Sequence, residues 1–503
     1  MPLIRKAEKV DILLTCEGTF PYVKGGVSSW IYQLIKGLPE FSFGIIFLGG
    51  QASQYEKPLY ELPKNLIHLE TRFLFDDLLP DKEIKALEGH KNLEERMRKL
   101  HYFFRSHQDT LAPELKELSF YKEIDHNQFL HSKKSFSFIT SEYEKNCPQV
   151  PFIDYFWAVR NIHSPIWIVA QAAMEAPKFS LVHSPSTGYA GLLAAFLKNN
   201  YGKKFILTEH GIYLMERKID IALSSWIEEY RLNLMKSSGE KNYIKELWVR
   251  LFQGINKFAY ESADEIISLY SGAQKIQIQY GAKPEKTRII PNGIDTAKFE
   301  KALKNRPKEM PKTVALIGRV VPIKDVKTFI TAIKIASEKI KDIEGWVIGP
   351  TEEDKEYYLE CLSLIKTLNL ENNIKFKGFQ KLEEIFSQVG ILTLTSVSEG
   401  MPLVVIEGFA AGVPAVTSNV GACKELIYGK DEEDLRLGKA GEIIPSANPS
   451  AAAKAYVSLL NDKQLWQQYS QTALKRVKKL YEEKTLLNQY REIYLKETQK
   501  EKN

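Results

Sequence analysis

The stretch TLTSVSEGMPLVVIEGFAAGVPAVTS, Thr393 to Ser418, holds two glutamates, Glu399 and Glu407, with seven residues between them. An apolar run reads as a strand ending at Ser396, and a helix is predicted from Pro402 to about Ala411, closed by Gly412. Glu399 then lies just before a helix N-terminus and Glu407 one to two turns inside it. Free N–H groups at such an end favour negative charge. A carboxylate there can accept sugar hydroxyls, and one further along can take both hydroxyls of a ribose. The plainer reading is a helix with an exposed glutamate on its outer face. The apolar flanks weigh against it, because a charge set among them must face something polar.

A second cluster is LIGRVVPIKD, in which Arg319 follows a strand end and Lys324 lies five residues on. Two cations there can neutralise one diphosphate as it leaves; a solvated basic loop is the alternative. In FILTEHGIY, Glu209 and His210 close a strand, and His183 does the same in LVHSPSTGYAG. A hydrogen-bonded core histidine is the ordinary account of either. Asn292, in IIPNGID, reads as a turn with Gly293. The loop CEGTFPYVKGGVSSW, Cys16 to Trp30, places Gly25 and Gly26 at a helix start, either for a tight turn or so that backbone can lie against a ligand.

Several chemistries are disfavoured by what is missing. The chain has no G-x-x-x-x-G-K-[ST], no G-x-G-x-x-G after the first strand, no H-E-x-x-H and no G-x-S-x-G. It also lacks a D-x-D triplet to hold a metal on a nucleotide diphosphate, so cations and helix ends must do that work and no metal is expected. Four scattered cysteines without C-x-x-C spacing fit a reducing compartment. A net charge of +6 over 503 residues, with no dense basic block, argues against a nucleic-acid partner. No signal peptide and no membrane span are read, so a cytoplasmic location is expected.

Positioning these residues requires a scaffold. Apolar strands alternate with helices from Val10 to about Gly50 and again from Pro151, which implies a parallel sheet covered on both faces. Between them, residues 51–150 are charged and aromatic and read as a largely helical insertion. A second alternating series begins near Lys308, after a charged, proline-containing linker at about Ile294–Pro311. The expected domains are 1–300, 308–478, and a C-terminal helix in 479–503 that packs back on the first domain. Two doubly wound α/β domains in series put their strand ends, and the default site, at a cleft between them.

The phrases GRVVPIK, PNGID and SEGMPLVVIEGFAAGVPAVTS resemble the motifs of the retaining family 4 nucleotide-sugar glycosyltransferases, whose fold is GT-B. EGTFPYVKGGVSSW, TEHGIYLMERKID, IGRVVPIKD and NVGACKELI are similar to the PelF-type branch, cytosolic enzymes of Pel exopolysaccharide synthesis. The resemblance implies a UDP-sugar donor (UDP-glucose, UDP-GlcNAc or UDP-GalNAc), a growing glycan as acceptor, inner-membrane Pel assembly proteins as partners, and no permanent cofactor. It implies that Arg319 and Lys324 bind diphosphate and Glu407 binds ribose. Glu399, with Gly400, Met401 and Leu403, would contact the donor sugar. Gly25 and Gly26 would approach phosphate and acceptor, and His210 would stand near the sugar. Asp325 departs from the glycine common in that family after the lysine, which bears on the turn there. Other functions open on this fold are glycolipid or storage-glucan synthesis and a non-catalytic sugar-nucleotide-binding scaffold.

Overall fold

The computed structural model describes residues 5–76, 85–105, 113–224 and 243–498. The chain divides into two compact units: 1–268 with 274–288 and 491–503, and 269–273 with 289–490.

Short β-branched and apolar runs make the strands of the first unit. They are β1 (Lys9–Glu17), β2 (Phe43–Gly49), β3 (Leu66–Phe73), β4 (Lys178–Ser184), β5 (Lys204–Glu209), β6 (Glu265–Ser268) and β7 (Thr287–Ile289), in the order β3-β2-β1-β4-β5-β6-β7. β1 pairs in parallel with β2 and with β4, so the winding reverses between β1 and β4. Ligands bind beyond strand C-termini at such a reversal.

The insertion departs from expectation at its start. β3, in LIHLETRF, is a strand of the sheet, and the helices begin only afterwards, with Leu93–Arg105. His68, Glu70 and Arg72 hide the strand in the sequence. In the fold they neutralise one another, with His68 3.6 Å from Glu70 and Arg72 paired to the same carboxylate. The remaining insertion is helical as expected. Its helices His126–His131 and Lys133–Asn146 pack on the long helix Phe152–Glu175, where Phe129 stacks on Trp167 with centroids 4.5 Å apart.

The second unit has β8 (Thr313–Ile317), β9 (Glu344–Ile348), β10 (Ile374–Gly378), β11 (Ile391–Leu394), β12 (Ala415–Ser418) and β13 (Gly441–Ile444). All neighbours are parallel, in the order β10-β9-β8-β11-β12-β13. Period-two alternation splits its core between two faces: Val314 and Leu316 point to one, Ala315 to the other. The stretch Ile294–Pro311 is ordered within this unit, with helical turns at Thr296–Phe299 and Glu300–Lys304. Arg306 anchors it by donating to the carbonyls of Phe386, Val389 and Ala411.

Each unit is Rossmann-like and doubly wound, and two in series with a helical insertion in the first make a GT-B-like architecture. The last helix, Glu483–Thr498, is shared: its residues to Tyr490 belong to the second unit and those from Arg491 to the first. Among the described residues no helix is long and apolar enough to cross a membrane.

Candidate functional site

In the second unit the winding reverses between β8 and β11. The loops leaving these two strands are stitched together. Thr395 Oγ1 donates to the carbonyls of Lys324 and Asp325, at 3.1 and 2.9 Å, and the Val397 amide donates to the Ile323 carbonyl at 2.9 Å. Lys324 closes a short 3-10 turn, Pro322–Lys324. Asp325 then takes the left-handed conformation, φ 47°, and its carboxylate accepts from the Thr328 amide to cap the helix Val326–Ser337. Aspartate tolerates that conformation better than most side chains. The turn a glycine would make is therefore kept, with a cap added.

This stitching brings Lys324 and Glu399 together across 75 positions of sequence. Lys324 Nζ lies 2.5 Å from Glu399 Oε1, and Ser396 Oγ donates to the same oxygen at 2.6 Å. Arg319 sits on the β8 side of the loop, its side chain about half exposed, and pairs with Glu353. Both cations expected at a diphosphate are thus held by carboxylates.

Gly400 and Met401 follow in the loop, and the helix runs Leu403–Ala410. Pro402 is its N-cap, φ −72° and ψ 109°, one position earlier than expected. The buried Met401 accepts the Asn292 amide on its sulfur at 3.4 Å. Asn292 is itself buried, and its Oδ1 has no partner among the described residues.

The carboxylate of Glu407, part-exposed on this helix, makes no hydrogen bond or ion pair with the described residues. Burial pushes its carboxyl up to about 7; the charge of Lys298 opposes this and that of Glu383 adds to it. Two further features escaped the sequence reading. Phe379 stands 84% exposed just beyond β10. Gly421, at φ 52°, lies so close beneath the glutamate loop that a Cβ would come 2.2 Å from the Gly400 carbonyl oxygen. The neighbouring Ala422 amide donates to that oxygen at 2.8 Å. The phrase NVGACKELI contained this glycine, but nothing in the sequence shows what it touches.

In the first unit, Gly25 is the N-cap of the helix Gly26–Gly37, with an extended φ of 173°. A Cβ at either glycine would meet nothing within 4 Å. Neither backbone conformation nor packing within the protein requires glycine at these two positions, so the tight-turn explanation has no support there. His210 lies one residue past β5, with its ring against Trp30 at 4.5 Å between centroids. Its Nε2 is buried without a partner among the described residues, and burial pushes its pKa down to about 3. His183 is different: Nδ1 meets the Tyr494 hydroxyl at 2.7 Å and Nε2 meets Thr208 Oγ1 at 2.8 Å. It is a core histidine. Glu209 is equally structural, accepting from Tyr260, Gln277, Thr187 and the Tyr213 amide.

A cavity of about 420 Å³ opens at the ends of β1 and β2, walled by Tyr189, Tyr213, Trp248 and Phe252, with Glu17 and Arg217 among its polar groups. These aromatics are spread over 60 positions, and no spacing rule would have gathered them.

Residues 10–285 match the family model described as "Domain of unknown function (DUF3492)", and residues 298–476 match "Glycosyl transferases group 1". Among curated proteins, the chain is 25% identical over 197 residues to N-acetyl-alpha-D-glucosaminyl L-malate synthase of Bacillus anthracis, covering 39% of this chain and 48% of that one. It is 26% identical over 208 residues to UDP-Gal:alpha-D-GlcNAc-diphosphoundecaprenol alpha-1,3-galactosyltransferase of Escherichia coli, covering 38% and 52%. The chain spans about half the length of these relatives. Among solved structures it is similar in fold to Anabaena HepE in complex with UDP and glucose, with a TM-score of 0.58 at 14% identity, covering 96% of this chain and 99% of that one. Sucrose-phosphate synthase of Thermosynechococcus elongatus has a TM-score of 0.58 at 16% identity, covering 96% and 98%. The chain belongs to the DUF3492 family and joins that domain to a group 1 glycosyl transferase domain, on two Rossmann-like units of GT-B type.

Proposed function

We propose that the protein is a retaining glycosyltransferase of PelF type, moving a hexosyl or N-acetylhexosaminyl unit from a UDP-sugar to a growing exopolysaccharide. The observation that carries this reading is the arrangement at the β8–β11 reversal. Lys324, Glu399 and Ser396 form one network there, beside a helix that bears a part-buried carboxylate, Glu407, whose oxygens make no hydrogen bond or ion pair with the described residues.

In this reading the diphosphate displaces Glu399 from Lys324 and draws Arg319 from Glu353. The released Glu399 accepts hydroxyls of the donor sugar. Amides following Glu399 face the sugar, and Gly421 beneath them keeps the loop close. Glu407 takes the two ribose hydroxyls, which supply the donors it lacks. Phe379, exposed at the end of β10 two strands from β8, offers a face for the base. As the glycosidic bond to phosphate breaks, Arg319 and Lys324 stabilise the charge that develops on the leaving diphosphate. The leaving phosphate helps to take the acceptor proton, and attack on the face it departs from retains the anomeric configuration.

In the first unit, the aromatic cavity beside Glu17 suits the faces and hydroxyls of an acceptor sugar. His210, neutral at ordinary pH, offers a hydrogen bond without charge. The open space at Gly25 and Gly26 leaves room at the end of β1. The UDP named for the HepE complex and for the Escherichia coli galactosyltransferase supports uridine over guanosine as the nucleoside. We place the activity at the cytoplasmic face of the inner membrane, held there by Pel assembly proteins.

The test is UDP release by purified protein across UDP-glucose, UDP-GlcNAc, UDP-GalNAc and GDP-mannose, with and without glycan acceptor. Acceptor-dependent release from one UDP-sugar is expected. Preference for GDP-mannose would overturn the nucleotide assignment, and binding without turnover would favour a scaffold.

A further inference from the structure

The helical insertion contains a buried guanidinium with no counter-charge among the described residues. Arg160, on the helix Phe152–Glu175, is 7% exposed and has no carboxylate partner among the described residues. One of its terminal nitrogens donates to the Leu130 carbonyl, while Nε has no partner. The rings of Phe156 and Trp157 flank it at 5.2 and 5.4 Å. Other buried arginines in the chain are treated differently. Arg476 pairs with Asp434 and donates to four carbonyls, and Arg306 spends its donors on three carbonyls. An unneutralised buried cation is costly unless something supplies the missing charge.

Arg160 lines a cavity of about 310 Å³, and other groups converge on it. Ser135, 2% exposed, has a hydroxyl with no partner among the described residues. It lies in the first turn of the 14-residue helix Lys133–Asn146, whose N-terminus is capped by Ser132 accepting the Ser135 amide at 3.1 Å. His131 and Lys133 complete the polar wall. Burial lowers the pKa of His131, and the nearby charge of Arg160 lowers it further.

We propose that this cavity binds a phosphate group, held by the Arg160 guanidinium and the Ser135 hydroxyl. Donors arriving from two helices at different angles suit a tetrahedral oxyanion better than the two coplanar oxygens of a carboxylate. The cavity wall also carries Phe136, 52% exposed, and Ile153 on the adjoining helix is 57% exposed. The phosphate is therefore that of a small soluble ester or of a lipid headgroup whose apolar part covers these side chains. The site is separate from the Arg319–Lys324 cluster and does not depend on the reading of that cluster.

The experiment is calorimetric titration with inorganic phosphate of the full chain carrying Arg319→Ala and Lys324→Ala, so that the cations of the other site do not contribute. Binding is expected, weakened roughly 10- to 100-fold by adding Arg160→Gln and about 10-fold by adding Ser135→Ala. Ser135→Ala removes only an unpartnered hydroxyl, so it remains informative if Arg160→Gln fails to fold. No binding before these additions, or binding that Ser135→Ala leaves unchanged, overturns the site. Competition by glycerol 3-phosphate without vesicle sedimentation assigns a soluble ester. Arg160-dependent sedimentation with phosphatidylglycerol vesicles, and not with phosphatidylcholine vesicles, assigns a lipid.

Discussion

Glu209 in the first unit and Glu407 in the second are both carboxylates whose acidity burial pushes to about 7. Their surroundings are opposite. Glu209 accepts from three side chains and one amide, at 2.7 to 3.2 Å. Glu407 accepts from none of the described residues. A raised pKa alone therefore does not mark a functional carboxylate. What marks it is that a part-exposed carboxylate which collects no donors from the described residues keeps its acceptor oxygens open to a ligand, whereas a structural carboxylate has spent them. The same contrast separates the histidines: His183 has a partner on each nitrogen, whereas His210 leaves Nε2 unmet.

Substitutions should divide along this line. The largest effect is expected from Lys324→Ala and Glu407→Ala. Each should lower kcat/KM for UDP release by roughly 100- to 1,000-fold, as loss of a group that stabilises developing charge or fixes the donor does. Both variants should melt within a few degrees of the parent protein, and near-normal turnover in both would remove the site assignment. Glu209→Ala should do the reverse. Four donors lose their acceptor, costing roughly 3 kcal/mol of stability and lowering Tm, while kcat/KM of the folded fraction is retained.

Gly26→Val comes next. A Cβ there meets no protein atom, so Tm should hold while transfer falls about 10-fold or more; a variant that only unfolds would restore the tight-turn explanation. The smallest effect is in pH dependence. The carboxyl of Glu407 is raised, so its protonated form predominates below about 7 and cannot accept two ribose hydroxyls. Donor KM should rise severalfold as pH falls from 8 to 6, and Glu407→Gln should flatten that dependence. The linked stability runs the other way. The folded state holds the proton between the unfolded carboxyl's ordinary range and about 7, so this group's contribution falls as pH rises through that window. Melting curves across the same pH range check the sign.

Much of the second unit was legible in the chain. Short β-branched strands, helices of ordinary length and the glycine at the end of the Leu403–Ala410 helix are local signals, and the Glu399–Glu407 spacing sits on one such strand–helix element. Less was legible where charge disguised a strand. β3 hides behind His68, Glu70 and Arg72, whose mutual neutralisation is a pairing and not a pattern. Pro402 shifted by one position because a proline suits both a cap and the first helical residue.

The residues themselves determined which chemistry is available: cations without a metal motif, a glutamate pair bracketing a helix start, and two glycines in the first loop. Tertiary structure alone decided which groups are spoken for. It joins Lys324 to Glu399, sets Arg319 on Glu353, gives His183 the hydroxyl of Tyr494 from 311 positions away, and among the described residues leaves the Glu407 carboxylate without a hydrogen bond and Arg160 without a carboxylate. Spacing can report the reach of a side chain along its own helix or strand, whereas hydrogen bonds and desolvation depend on what the rest of the chain brings within about 3 Å.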